Sequence, residues 1–387
     1  MKLNKVFCPI IINLKNKNGH VYNYHIFIKD ICLKNNIHYK PVVFNQTKNL
    51  IQFSKNQINI YNSFLDYSLN NLLKILFKFK VIKIFKDINY LFNSLKNLVS
   101  KENKKKIYFF MESFNIINLF IFYKFFLKNN NNININVLLL IRTHPKNGNY
   151  INKINYYLIS RLIKKFLKRK NKSKIILITD TTILKKELSI LYHSKLFYLP
   201  VPSNYICNTQ KIIRKKLNSQ KIIFPGEARK DKSIKSIIYL CNHISHKKYI
   251  SIDLKKFIKN KKGFIFFKKS LNFEQYYELF SETNISILTL LPKYYKYSSS
   301  GTFIDSIINY TIPLVFENTS MADILRSYNL NELIMNKDND FILFINKYFN
   351  YSYFYKQINI KFYIMHKEIK YFHSKKNFEK KFLDFIR

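Results

Sequence analysis

The chain has 387 residues, a length that fits two domains of about 150–200 residues better than a single one. Hydrophobic residues make up 47% of the chain and charged residues 23%, which excludes disorder as its main state. The formal net charge is +45, from 67 basic and 22 acidic residues, and taken alone it indicates an anionic partner such as nucleic acid or a membrane surface.

The composition carries a strong bias that weakens this argument from charge. Tryptophan is absent, only 5 glycines and 8 prolines occur, and lysine, asparagine, isoleucine, phenylalanine and tyrosine are abundant. The abundant residues have A/T-rich codons, so we infer an A/T-rich genome in which lysine replaces arginine and neutral surface residues by drift. A glycine, proline or arginine that is present is therefore a better indicator of a physical requirement than in a balanced sequence.

The cysteines and the apolar segments indicate neither disulfides nor a membrane span. The four cysteines form no C-x-x-C pair, as expected in a reducing cytosol. The most apolar segment, 107–127, contains Glu112 and Lys124, so we predict a buried strand followed by a buried helix. We predict a cytoplasmic protein, with peripheral attachment to the inner face of a membrane as an open alternative. The cysteines are Cys8, Cys32, Cys207 and Cys241.

The first half of the chain alternates strand-like and helix-like segments. Asp180 is predicted as the N-cap of the last helix in this half. The segment 50–100 mixes both periods and receives no assignment. Strands are predicted over 6–14, 42–44, 107–111, 136–141 and 173–179, and helices over 22–35, from Glu112 to about 127, over 152–170 and over 181–191.

Two prolines within six residues indicate a domain boundary at 199–204. Beyond it, strands are predicted over 221–224, 249–254, 264–267, 285–291, 313–316 and 332–335, and helices over 231–242, 273–281, 301–310, 320–328 and 339–349. This alternation implies parallel sheets with helices on both faces. We predict an α/β protein of two Rossmann-like, doubly wound domains that face each other across a cleft. They cover 1–200 and 205–360, and a C-terminal helix within 361–387 crosses back to the first domain.

Two loops of the second domain are suited to phosphate groups, because ligands of open parallel sheets bind beyond the carboxyl ends of the strands. The first loop, 224–233, contains Gly226, Arg229 and Lys232. Arginine holds a phosphate as a planar fork and lysine holds it as a point charge. An ordinary turn with solvated charges is the alternative interpretation.

The second loop, 297–305, leads into a predicted helix with Ser300 as its N-cap, Gly301 for close approach of a ligand, and Thr302 in the first turn. Free N–H groups and the helix dipole at such a start suit a diphosphate. A plain serine cap is the alternative. The chain has neither a G-x-G-x-x-G nor a G-K-[ST] segment, which argues against dinucleotide and P-loop sites.

The order of these features resembles the glycosyltransferases of group 1 and family 4-like type, which have the two-Rossmann-domain GT-B fold. The resemblance covers roughly 170–330 well and the first 45 residues loosely. It rests on the segment from Gly226 to Lys232, on the spacing from Gly301 to Pro313-Leu-Val315, on the segment 321–325, and on Gly19-His20 after the first strand.

The resemblance implies a hexosyltransferase-like enzyme that moves a sugar from a nucleotide-diphosphate sugar to a glycan, lipid-linked or protein acceptor, with retention of configuration. The Asp-x-Asp segment at 338–340 lies at the start of a predicted helix, and the sequence contains no His/Asp cluster suited to Mg²⁺ or Mn²⁺, so we expect no metal and no cofactor besides the nucleotide-sugar substrate. The donor-binding residues implied are Arg229, Lys232, Ser300, Gly301, Thr302 and Ser306.

The candidate catalytic residues are Glu112 and Asp305. The two glutamates of the family's donor motif fall on Ser298 and Ser306, and Asp305 lies next to the second of these positions. The family's helix-end glycine falls on Thr311. Glu112 ends a predicted strand of the first domain, where a satisfied polar residue is the alternative interpretation.

The candidate acceptor-side residues also belong to the first domain. Gly19 and His20 follow the first strand, and Arg142 and His144 follow the strand over 136–141. A histidine in a loop before proline is the alternative interpretation of His144. These residues are expected to contact the acceptor.

Three other functions remain open at the level of the sequence. A nucleic-acid-binding protein would use the basic surface and stack bases on 29 tyrosines and 36 phenylalanines, but the same codon bias explains these aromatic residues and no binding motif occurs. A peripheral membrane protein would place a lysine-rich face on anionic lipid, which is compatible with a transferase. A nucleotide-sugar epimerase on the same fold is the third alternative.

Overall fold

The structure is a computed structural model of the chain. Contacts divide the chain into two compact units, Met1–Pro200 with Glu379–Arg387, and Val201–Phe378. The residues that the structure describes are 5–11, 20–45, 58–61, 81–101, 106–112, 114, 116–128, 135–142, 144, 150–168, 174–202, 209–216, 219–227, 229–258, 263–267, 271, 273–298 and 300–386.

The first unit contains a parallel sheet. Its described strands are β1 (Lys5–Ile11), β2 (His38–Tyr39), β3 (Val42–Asn45), β4 (Ile58–Tyr61), β5 (Lys106–Met111), β6 (Ile135–Leu140), β7 (Lys174–Thr179) and β8 (Leu196–Tyr198). The strand order is β4-β3-β1-β5-β6-β7-β8, and β2 also pairs with β1. Every residue of β6 is buried, which accounts for its apolar sequence, since helices cover both faces of such sheets.

The helices of the first unit follow the strands in alternation. They are α1 (His20–Lys34), α2 (Val81–Lys101), α3 (Ile116–Lys128), α4 (Tyr150–Leu167) and α5 (Thr182–Tyr192). Both β4 and α2 lie in or at the edge of the segment 50–100, to which the sequence pattern assigns no structure. Among the residues described, no helix combines the length and the apolar character that crossing a membrane requires.

The N-cap of α5 differs from the prediction. Thr181, rather than Asp180, is the cap, and its side-chain oxygen accepts a hydrogen bond from the Leu184 N–H at 3.0 Å. The prediction for Asp180 is wrong because its carboxylate is paired elsewhere, with Nε of Arg142 at 3.3 Å. The N-cap therefore lies one residue later than predicted, and Asp180 remains at the end of β7.

The second unit contains a second parallel sheet. Its described strands are β9 (Lys221–Phe224), β10 (Lys247–Ser251), β11 (Phe264–Phe267), β12 (Ile285–Leu288), β13 (Ile312–Phe316) and β14 (Ile334–Met335), in the order β11-β10-β9-β12-β13-β14. The predicted strand over 249–254 ends earlier, because a 3₁₀ segment, Ile252–Phe257, follows β10. The prediction of two doubly wound α/β units is confirmed.

The helices of the second unit lie before, between and after these strands. Pro292 starts a one-turn helix, Pro292–Tyr295, soon after β12. The helices are α6 (Thr209–Lys216), α7 (Ile234–His243), α8 (Phe273–Glu282), α9 (Pro292–Tyr295), α10 (Gly301–Ile308), α11 (Ser320–Ser327), α12 (Asp338–Asn350), α13 (Ser352–Phe372) and α14 (Lys375–Ile386).

The last helix, α14, begins in the second unit and ends in the first. In the first unit the ring of Phe382 contacts Phe7 of β1 at a centroid distance of 5.0 Å. The hydroxyl of Tyr108 in β5 donates to the carbonyl of Ile386 at 2.9 Å. The C-terminal residues are therefore part of the core of the first unit.

Candidate functional site

Three neighbouring strands of the first sheet place charged side chains at the same edge. Glu112 follows β5, Arg142 follows β6 and Asp180 follows β7. Arg142 Nη1 donates to Glu112 Oε1 at 2.8 Å, and Arg142 Nε lies 3.3 Å from Asp180 Oδ2. The two carboxylate side chains are only 5% and 3% exposed, so one guanidinium stabilises two buried anions.

Two residues of α1 complete this group, which we call the strand-end cluster (Tyr24, His25, Glu112, Arg142 and Asp180). His25 is buried, and its Nε2 lies 3.0 Å from the second carboxylate oxygen of Glu112. The guanidinium carbon of Arg142 lies 5.9 Å from the ring centre of Tyr24. The first unit therefore holds a buried, hydrogen-bonded charge network at the carboxyl ends of its central strands.

The electrostatics of the strand-end cluster are set by burial and by its two carboxylates. Burial, and next the charge of Glu112, raise the pKa of Tyr24 well above its usual value. Burial acts against the charge on Arg142, but the charges of Glu112 and Asp180 outweigh it and raise the pKa of the guanidinium. Arg142 stays ionised, and its side chain is 33% exposed, whereas both carboxylates are buried.

The other predicted acceptor-side residues are placed as follows. His144 is buried, with 3% of its surface exposed, two residues beyond Arg142. His20 is the first residue of α1, and Gly19 lies outside the described residues. The structure thus brings Arg142 and Glu112 into direct contact, while the remaining acceptor-side assignments stay predictions.

Lys232 is a buried cation of the second unit. Its side chain lies beneath the loop after β9, where Nζ donates to the carbonyl of Pro225 at 2.7 Å. Gly226 has a φ of +78°, and a Cβ atom at this position would lie 2.8 Å from Lys232 Nζ. The backbone conformation at this position favours glycine, and a larger residue would also have to displace the end of the Lys232 side chain.

Burial disfavours the charge on Lys232. Together with the positive charge of Arg229, it lowers the pKa of the ammonium to about 8, although neighbouring carboxylates act in the opposite direction. At pH 7 the group is still mostly protonated. A buried ammonium whose pKa lies near neutrality gains strongly from an anionic ligand, because the ligand offsets the cost of its burial.

The loop after β9 is joined to the loop after β12. The Ser233 N–H donates to the Thr289 carbonyl at 2.8 Å, and the Leu291 N–H donates to the Asp231 carbonyl at 2.9 Å. Lys232 lies between these two bonds, paired with Leu290 in an isolated antiparallel bridge. These bonds fix the backbone on both sides of Lys232, so two adjacent strand ends present one rigid surface.

Arg229 is exposed and is held by a neighbour in its own loop. Its Nη2 donates to Asp231 Oδ2 at 3.0 Å, and the same oxygen accepts from the Tyr295 hydroxyl at 2.6 Å. The Arg229 side chain is 56% exposed. Burial, and next the hydrogen bond to Asp231, raise the pKa of Tyr295, so Tyr295 stays a donor. The pair orients the guanidinium while leaving most of it accessible.

The start of α10 has the geometry that the sequence predicts. Ser300 is the N-cap: its Oγ accepts from the Phe303 N–H at 3.3 Å and lies 2.8 Å from Oγ1 of Thr302. The preceding loop is tied down by the Ser320 hydroxyl, which donates to the Ser298 carbonyl at 2.6 Å. The helix N-terminus therefore lies after β12, the strand next to β9 in the sheet.

Asp305 and Ser306 have partners away from the start of α10. The Ser306 hydroxyl donates to the carbonyl of Thr302 at 2.6 Å, within its own helix. Asp305 is 7% exposed, and its Oδ2 accepts from the hydroxyl of Tyr276 on α8 at 3.2 Å. Their roles toward the donor and in catalysis stay predictions, and these contacts do not support direct access of either side chain to a ligand.

The sequence does not reveal several residues of the strand-end cluster and of the loops after β9 and β12. His25 carries the pattern of a core histidine on an apolar helix, and nothing in its spacing indicates Glu112 as its partner. Asp231 and Tyr295 are separated by 64 positions, and only the bonds between the two loops bring them together. In the described part of the chain no group of three or more His, Cys, Asp or Glu side chains is arranged to hold a metal ion.

Comparisons with known proteins yield similarity at the level of structure. No protein-family model matches the chain, and no curated protein matches it in sequence. Sucrose-phosphate synthase from Thermosynechococcus elongatus superposes with a TM-score of 0.69 at 10% identity, covering 99% of this chain and 98% of the other. Anabaena HepE, solved with UDP and glucose, gives 0.64 at 9% identity and 99% coverage of both chains.

A third solved structure extends this comparison. A mutant of S. aureus TarM, solved with Fondaparinux, alpha-GlcNAc-glycerol and UDP, gives a TM-score of 0.64 at 12% identity and covers 99% of both chains. At such identities the likeness concerns the fold, and it extends over both units. The chain therefore has the GT-B fold of two Rossmann-like units.

Proposed function

We propose that the chain is a glycosyltransferase that moves a sugar from a nucleotide-diphosphate sugar to a glycan or lipid-linked acceptor. The observation that carries the proposal is the buried Lys232 ammonium, held under a glycine turn at the carboxyl end of β9. It lies in the unit and at the sheet edge where the resemblance expects the donor diphosphate. Solved structures of the same fold contain UDP or UDP-2-fluoro glucose.

In this proposal the second unit binds the donor. Lys232 and Arg229 neutralise the diphosphate, and the N–H groups at the start of α10, with the Ser300 and Thr302 hydroxyls, donate to its oxygens. Negative charge builds on the diphosphate as the sugar leaves, so donors fixed in advance favour the transition state over the ground state. Lys232 and Arg229 supply the positive charge that a divalent metal supplies in metal-dependent transferases, which supports a metal-independent reaction.

The first unit is assigned to the acceptor. The exposed third of Arg142 is the accessible part of the strand-end cluster, and Glu112 and Asp180 fix the orientation of its guanidinium. Because Glu112 is buried and paired with both His25 and Arg142, we assign it a positioning role rather than direct contact with the reacting atoms. Because Glu112 and Asp180 hold its Nη1 and Nε, the guanidinium presents its remaining N–H donors in a fixed orientation, which suits recognition of a polar acceptor group.

The test is a screen of nucleoside diphosphates and nucleotide sugars by thermal unfolding, together with hydrolysis of the sugar nucleotides. A ligand at 100 times its dissociation constant is expected to add about 2.7 kcal/mol to the free energy of unfolding. The shift is expected to persist in EDTA. Stabilisation by no nucleoside diphosphate would refute the proposed function, and loss of the shift in EDTA would refute the metal-independent site.

Arg229 offers a sharper prediction for the same site. It is one of seven arginines among 67 basic residues, so lysine is the expected residue where only charge is needed. Arg229→Ala is expected to weaken donor binding by about 1.5–3 kcal/mol, the usual loss of a charge-assisted contact, and to lower kcat as well. Arg229→Lys is expected to be impaired to a lesser degree, with little change in melting temperature because the side chain is exposed. Donor titrations and steady-state kinetics measure both effects.

Arg326→Lys is the matched control, because Arg326 is also a partly exposed arginine that pairs with carboxylates of its own surface. It is expected to match the wild type in kcat and donor affinity. Equal behaviour of Arg229→Lys and the wild type would remove Arg229 from the donor site.

A further inference from the structure

An apolar stripe runs along the outer face of α13. Its members are Tyr353, Ile360, Tyr363, Ile364 and Tyr371, with exposed fractions of 73%, 67%, 38%, 54% and 71%. Four of them, at 353, 360, 364 and 371, follow spacings of seven, four and seven residues, which place them within about 40° of one another around the helix. Along the axis the stripe extends about 27 Å. We call it the α13 stripe.

The opposite face of α13 explains why the stripe is not required for folding. Ile358, Phe362 and Met365 are fully buried in the core of the second unit, and His366 Nδ1 contacts the Ile307 carbonyl of α10 at 2.7 Å. Core packing therefore requires only the inner residues, and the outer face could be entirely polar. Single exposed apolar residues are ordinary, but a continuous line of them marks an interaction surface.

The charges beside the stripe are predominantly positive. The helix Ser352–Phe372 contains four lysines and one glutamate, Glu368, which accepts a hydrogen bond from the Tyr328 hydroxyl at 2.8 Å. Lys361 pairs with Glu332 at 2.7 Å and Lys370 donates to the Thr209 hydroxyl at 2.7 Å, so Lys356 and Lys367 are the lysines of this helix that can meet an anionic partner. Lys367 Nζ lies 4.6 Å from the ring centre of Tyr363, so the ammonium group and an aromatic ring of the stripe are in contact. The whole chain carries a formal net charge of +45. A partner for this face must therefore be both apolar and anionic.

We propose that the α13 stripe docks on an anionic lipid bilayer, with the helix lying in the plane of the interface. The isoleucines enter the acyl boundary, the tyrosines at both ends lie at headgroup level, and Lys356 and Lys367 contact lipid phosphates. A second copy of the chain fits less well, because the like charges of two lysine-rich helices would face each other. The docking is independent of the proposed transferase activity.

The test is flotation of the full chain with vesicles of phosphatidylcholine alone or with about 30% phosphatidylglycerol. Binding to the anionic vesicles only is expected, and it is expected to weaken at high salt, since exposed charges are screened. The double variant Ile360→Ser, Ile364→Ser is expected to bind about tenfold more weakly, because it removes the apolar centre of the stripe. Circular dichroism and the melting temperature verify that the variant is folded.

The matched control is the double variant Leu33→Ser, Ile190→Ser. These residues are 58% and 64% exposed, similar to the two isoleucines of the stripe, but they lie on α1 and α5 of the first unit. The control is expected to bind vesicles like the wild type. Equal binding by both double variants would overturn the proposal, as would a dimer in solution that only the Ile360→Ser, Ile364→Ser variant dissociates.

Discussion

Replacing Arg142 with methionine is expected to lower the free energy of unfolding by about 3 kcal/mol, because removing one partner of a buried pair leaves the other charge uncompensated. Two carboxylates, those of Glu112 and Asp180, depend on this guanidinium, and they are 5% and 3% exposed. Methionine retains much of the volume of the arginine stem, so the loss reports the missing charge more than a cavity. Chemical denaturation at pH 7 measures the difference.

The pH dependence of this loss identifies its cause. At pH 5 the deficit of Arg142→Met is expected to be smaller than at pH 7, because protonation of a buried carboxyl removes the charge that lost its partner. Arg161→Met on the exposed face of α4 is the control, and it is expected to stay within about 0.5 kcal/mol of the wild type. A deficit that is the same at both pH values would contradict a charge network at the strand ends.

The strand-end cluster shows what the sequence makes predictable. Glu112 and Arg142 can be identified because an apolar run of strand length stops at a charged residue, and strand ends meet at one sheet edge. Asp180 also ends an apolar run, but it directly precedes a predicted helix. A carboxylate at this position fits a charged strand end and a helix N-cap equally well, and the sequence context favours the cap. The strand order β5-β6-β7 decides between these roles, because it places Arg142 beside Asp180. The periodicity of the sequence does not encode that order.

The second unit shows a different limit. Ser300 is predictable because a helix cap is a local feature, set by residues within one turn. After α10, where the resemblance expects a glycine, the chain has Thr311, and Lys216 of α6 donates to Asn309 O at 2.7 Å and to Thr311 Oγ1 at 2.6 Å. This cap comes from 95 positions away, so no local pattern indicates it. In a lysine-rich chain one functional or structural lysine is indistinguishable by sequence from its neighbours.

Lys232 gives a prediction for donor binding that depends on pH. The affinity for a nucleoside diphosphate that stabilises the chain is expected to fall about tenfold between pH 7 and pH 9, because the diphosphate binds the protonated ammonium and the free group loses its proton around its pKa of about 8. Lys232→Met is expected to bind the same nucleoside diphosphate about 10–100-fold more weakly at pH 7, because a charge-assisted contact is lost. Calorimetric titrations at pH 7, 8 and 9 measure both.

The methionine variant is also the control for every other titrating group. Deprotonation of the ligand's nucleobase affects binding to both proteins alike, whereas the part of the pH dependence that is due to Lys232 disappears in Lys232→Met. A wild-type pH dependence that the variant retains in full would therefore exclude Lys232 as its origin, and unchanged affinity at pH 7 would remove this residue from the donor site.

The stability of the free protein provides an independent check on the same ammonium. Burial, followed by the charge of Arg229, lowers the pKa of Lys232 to about 8, against the raising effects of Asp231, Asp253 and Glu227. The folded state therefore binds the proton less tightly than the unfolded state, whose lysine has a pKa near 10.4. Unfolding takes up a proton between these two values, so the stability of the wild type relative to Lys232→Met is expected to rise with pH across this window, by about 3 kcal/mol at most. A relative stability that falls or stays level from pH 8 to pH 10 would show that the ammonium is solvated rather than held beneath the Gly226 turn, and the donor site would then lose its buried cation.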